Sequence, residues 1–208
     1  MNTQLKTEWD LSQLLPNTDE KAILNYREEI QKSHDDFAKK WKDRTDYLQD
    51  PQVLKESLED FEQLHRTHAA AGNLGYYYWL RSQIEDDNTE VKARYNQTEE
   101  FINTLSNSIL FFTLSISKLD KESQKKLLSD PQLSGYKHFL KRLFDESKYM
   151  LSESEEKILS LKSSPAHSQW IKMTAQFLSS DEREVLNDTK QKEKKTLPEI
   201  ITLSTHKD

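Results

Sequence analysis

The chain has 208 residues and a mass of 24.6 kDa, the size of one domain or slightly more. Apolar residues make up 34% and charged residues 32%, with a mean hydropathy of -0.92, so its core is lean. The net charge of -6 supplies no basic field for a nucleic-acid backbone, and the absence of cysteine excludes disulfides, thiolate metal sites and cysteine catalysis.

Three valines, three glycines and five prolines are too few for the strands and turns of a sandwich or barrel. The composition predicts an all-α protein: long antiparallel helices followed by shorter ones, in a helical lid-type bundle. Residues 1–9 lack the apolar centre of a signal peptide. The longest apolar run, Ile109–Phe112, is far short of a membrane span. The expectation is a cytoplasmic protein without nucleic-acid or membrane partners.

Residues 1–18 read as an extended N-terminal arm that lays Trp9, Leu11 and Leu14 on the body and turns at Pro16-Asn17. Residues 19–188 read as the helical bundle. Its first helix is expected over 19–44, capped by Thr18, with Ile23, Tyr26, Ile30, Phe37 and Trp41 on one face. Pro51 opens a second helix, expected to run unbroken to about Ile84. Over 89–117 Val91, Tyr95, Thr98, Ile102, Leu105, Ile109, Phe112 and Ile116 step by four and three. Phe111 and Leu114 widen this stripe, so its C-terminal end should be covered on more than one side.

Shorter helices follow. Asp120 caps 121–129, Pro131–Gly135 connects, and Tyr136, Phe139, Leu140 and Leu143 mark the next helix. Ser152-x-x-Glu155 is a capping box, and Pro165 opens a helix carrying Trp170 and Phe177. A short helix is expected over 180–188. Residues 189–208 read as a solvated lysine-rich linker and, from Thr196-x-x-Glu199, the start of a truncated further helix.

Candidate chemistry is sparse. Glu62-x-x-His65 is half of a di-iron carboxylate motif, but none of the other five histidines has a glutamate three residues before it. His65 and His68 could meet one ion, yet two ligands make no structural zinc site. Both are read instead as seam residues of the second helix, satisfied by tyrosine or carboxylate partners. Gly72 and Gly75 mark a close helix approach or a kink rather than a phosphate loop. The run Tyr76-Tyr77-Tyr78-Trp79 is either an aromatic binding surface or divided between core and rim. The sequons at Asn96 and Asn187 are chance matches in a cytoplasmic chain. There is no His-Glu-x-x-His.

Several segments, in order, look familiar. Trp9-Asp10-Leu11-Ser12-x-Leu14 resembles the start of oligoendopeptidase F-type zinc metallopeptidases. Tyr136–Leu143 and Leu151–Leu159 resemble later segments of that family, as do Trp170 and the Thr196–Ile201 helix start. Tyr149 departs from the family's pattern, which has a basic residue or histidine there.

The resemblance implies an α-helical clamshell whose N-terminal third is a lid. That lid shapes a deep channel and admits short peptides. It also implies a zinc centre far downstream, built on His-Glu-x-x-His and a later glutamate. No catalytic, cofactor-binding or metal residue carries over to this chain, so zinc is implied only for a catalytic region it does not include. The reading is an N-terminal lid region, inactive alone, with a downstream catalytic segment or subunit as its partner and short peptides as ligands once assembled. The alternative is a free-standing cytoplasmic helical-bundle interaction module.

Overall fold

The computed structural model describes residues 10–68, 72–85, 88–186 and 189–203. It is 81% helical, with a single two-stranded sheet among the described residues. The chain divides into two compact units, Met1–Glu156 and Lys157–Asp208, a boundary inside the stretch read from sequence as one bundle.

The first unit is built on α1 (Glu20–Trp41), α2 (Pro51–His68), α3 (Gly72–Ile84) and α4 (Thr89–Ser117). The stretch expected as one helix over 51–84 is helical on both sides of residues 69–71, which lie outside the described set. The N-terminal arm differs from the extended form expected. Leu11–Gln13 form a 3-10 turn, because the Asp10 carboxylate accepts from the Ser12 N–H and closes the chain into a turn. Leu11 and Leu14, half-buried, pack as expected against the cluster of Ile23, Leu74, Tyr77 and Tyr78, and Leu15 is the arm's buried anchor there. Trp9 lies outside the described residues.

At 29 residues, α4 is a rod of about 43 Å at ~1.5 Å per residue. It packs against α1, α3 and α6 (Lys137–Glu146). Its last turns bury Phe111, Phe112, Leu114, Ile116 and Ser117, so this end is enclosed on several sides, as the width of its stripe required. Phe37 and Trp41 of α1, Leu54 and Leu58 of α2, and Leu140 of α6 complete the main core. The buried hydroxyls of Ser57, Thr98 and Ser117 donate to carbonyls one turn back, which satisfies them without a side-chain partner.

Asn88 ends the preceding loop in extended conformation, and its Oδ1 accepts from the Glu90 and Val91 N–H groups at 3.1 and 3.2 Å. Its Nδ2 also donates to Glu85 at 2.8 Å. Asn88→Ala removes all three bonds. It is expected to destabilise the first unit by about 1 kcal/mol, measured by denaturant unfolding.

Asp120 caps α5 (Lys121–Ser129) through the N–H groups of Glu122 and Ser123, both at 2.9 Å. The Ser123 N–H and then its hydroxyl hold this carboxyl below its ordinary value of 3.8. The folded form therefore prefers the carboxylate. The stabilisation is complete above the unfolded value and is lost as pH falls through the lower folded one. Melting curves from about pH 5 to about pH 2 should show Asp120→Asn losing less stability on acidification than the parent chain.

In the second unit, α7 (Glu153–Ser163) enters from the first, starting at the expected capping box: Glu155 accepts from the Ser152 N–H, and Ser152 Oγ from the Glu155 N–H. A π-helical turn over Ser164–Ser168 leads into α8 (Gln169–Ser180). The helix expected over 180–188 and the linker after it are instead an antiparallel hairpin, β1 (Glu182–Leu186) and β2 (Lys192–Thr196). The pairing places Glu184 opposite Lys194, and Lys192 reaches diagonally to Glu184 at 3.0 Å. Opposite charges across the strands favour this arrangement over two solvated segments. Helix α9 (Leu197–Leu203) opens with the expected box: Glu199 accepts from the Thr196 N–H at 2.7 Å and from its hydroxyl at 2.8 Å.

No helix among the described residues is long and apolar enough to cross a membrane.

Candidate functional site

The metal-like residues are engaged elsewhere. The Glu62 carboxylate pairs with Arg66 one turn on and accepts from the Tyr136 hydroxyl at 2.9 Å. Burial, followed by the hydrogen bond to Glu62, pushes that hydroxyl's pKa up to about 12. His65 donates from Nδ1 to the Phe61 carbonyl at 2.8 Å, and its ring lies 4.3 Å from the Phe61 ring. His34, a buried histidine that the sequence did not single out, likewise donates to the Ile30 carbonyl at 2.9 Å. The His68 side chain lies outside the described residues. No group of three or more His, Asp or Glu side chains among the described residues is placed to hold a metal ion.

Among the described residues of the first unit, helix α3 carries a concentration of exposed aromatic side chains. It lies close on α4: a Cβ on Gly75 would stand 3.0 Å from Ile102 Cδ1. That orientation turns Tyr77 and Tyr78 inward at 8% and 5% exposure. Tyr76 and Trp79 turn outward at 60% and 42%, their rings edge to face with centroids 6.3 Å apart. The aromatic run is therefore divided between core and rim, as four consecutive residues on a helix must be.

A cavity of about 180 Å³ lies beneath the inward pair, lined also by Arg81, Glu90, Val91 and Arg94. Its charges are internally matched. Arg81 pairs with both Glu85 oxygens, which raises the guanidinium pKa and holds Glu85 below the ordinary carboxylate range. Arg94 meets Glu20 at 3.3 Å and Glu90 at 3.9 Å. With each cation answered by a carboxylate, the cavity has no net field for an anion. No nucleophile and base are paired there either. Around this cavity the described side chains present aromatic and apolar contact beside matched charges.

Comparison with known proteins shows which class of helical protein this chain resembles. The family model described as Oligopeptidase F, which covers the N-terminal region of such peptidases, matches residues 116–180. An oligoendopeptidase F homologue of Borreliella burgdorferi is 27% identical over 152 residues, which is 73% of this chain and 24% of the relative. The crystal structure of oligoendopeptidase F from Enterococcus faecium superposes with a TM-score of 0.70 at 15% identity, over 92% of this chain and 36% of the other. The chain thus spans about a quarter of the curated relative and about a third of the crystallised one. It matches an N-terminal portion of an oligoendopeptidase F-like peptidase.

Proposed function

We propose that this chain is the N-terminal, channel-shaping lid region of an oligoendopeptidase F-like metallopeptidase that hydrolyses short peptides. The agreement of family model, curated relative and shared fold on one enzyme type carries this reading. Among the described residues, none form a set that fits a catalytic zinc ion. The described residues assemble no three-ligand group, and Glu62, the only glutamate three residues before a histidine, is committed to Arg66 and Tyr136. Zinc chemistry in this reading comes from polypeptide outside these 208 residues, and the chain alone is catalytically incomplete.

The test is a fusion of this chain to the complementary remainder of the Borreliella homologue, assayed with internally quenched short peptides and zinc. The 208-residue chain alone should show no hydrolysis, and the fusion should cleave. Hydrolysis by the chain alone, or a folded fusion without activity, would overturn the proposal and favour an interaction module.

A further inference from the structure

No described residue of the second unit, Lys157–Asp208, is buried. Yet the unit is rich in large apolar side chains, concentrated on α8. Trp170, Met173 and Phe177 stand one turn apart at 61%, 55% and 73% exposure, and Ile171 and Leu178 form a second row at 56% and 44%. Among the twelve residues of α8 only Lys172 is charged, in a chain that is 32% charged. Among the described residues of the unit α8 packs chiefly against α9 and the π-helical turn before it, and its apolar rows stay exposed. An amphipathic helix ordinarily buries its apolar face against a neighbouring element.

We propose that α8 is the docking surface for the zinc-bearing polypeptide of the assembled peptidase, with Trp170 and Phe177 as its anchors. This rests on the lid reading above. The choice of occupant follows from the extent of the matches. The Enterococcus fold covers 92% of this chain while 64% of that protein's own chain lies outside the match. The family model ends at residue 180, the last residue of α8. The relatives therefore carry a large further body of polypeptide alongside this same fold. Large aromatic side chains in a patch poor in charge are the usual anchors of such contacts.

Hydrogen exchange and thermal melting of the free chain and of the fusion test this together. In the free chain, amides of 169–180 should exchange nearly as fast as unprotected peptide. In the fusion they should slow by about a hundredfold or more. The double variant Trp170→Ala/Phe177→Ala should lower the melting temperature of the fusion and leave that of the free chain unchanged. Trp170→Phe should keep most of the fusion's stability.

A fusion that cleaves short peptides while 169–180 still exchanges fast overturns the docking surface and leaves the lid reading intact. Slow exchange of 169–180 in the free chain also overturns it. If that protection is independent of concentration, the cover comes from within this chain, and if it grows with concentration, from a second copy. A folded fusion that cleaves nothing removes the lid reading and the proposed occupant with it.

Discussion

Phe112→Ala is expected to destabilise the first unit by about 3–5 kcal/mol and to lower its melting temperature by roughly 10 °C. Phe112 is fully buried, and its ring centroid lies 5.0 Å from that of Phe61, 5.3 Å from Phe37 and 5.5 Å from Tyr47. Three separate segments therefore converge on one ring of α4. Alanine would leave a cavity that no single neighbour can fill, because each is held by its own helix or turn. Far-UV circular dichroism followed through a thermal ramp gives the measurement. A loss under about 1 kcal/mol would mean that these rings do not form a shared core.

Trp41→Ala is expected to cost a similar amount, about 3–5 kcal/mol, for a partly different reason. The side chain is fully buried, stands edge to face with Tyr47 at 5.9 Å, and donates from Nε1 to Asp60 Oδ2 at 2.9 Å. The Arg44 guanidinium lies over its ring at 4.3 Å. Asp60 keeps its ion pair with Lys40 at 2.7 Å, so the substitution strands no carboxylate. Most of the loss is therefore packing. Trp41→Phe, which keeps much of the volume and gives up the hydrogen bond, should cost about 1–2 kcal/mol. Equal losses for the two variants would shift the weight from packing to the Asp60 bond.

The residues that make these predictions possible were mostly legible in the sequence. The four-three series from Val91 to Ile116 is a local pattern, and the helix follows it from Thr89 to Ser117. The caps at Asp120, Ser152 and Thr196 are equally local, each needing only a side chain two or three residues from its acceptor or donor. The hairpin was not legible. Glu, Lys and Arg dominate 182–196, a composition that reads as helix or solvated linker, and the pairing of Glu184 with Lys192 and Lys194 is visible only once the chain has folded back.

The likeness to oligoendopeptidase F was legible because several modest motifs occur in the right order. The surface that the fold offers was not. Trp170 and Phe177 share a helix face by spacing alone, but spacing says nothing about whether neighbouring elements enclose that face, and only the structure shows that the second unit leaves it open.

The central claim, that this chain shapes the entrance to a peptidase channel, is tested most directly by the length selectivity of the fusion. The measurement is kcat/KM over a nested series of unfolded peptides sharing one cleavage sequence and differing only in flanking length. The account predicts hydrolysis of the short members and a steep fall once the flanks outgrow the channel. Equal kcat/KM along the whole series, in a fusion that is folded and active, would contradict it.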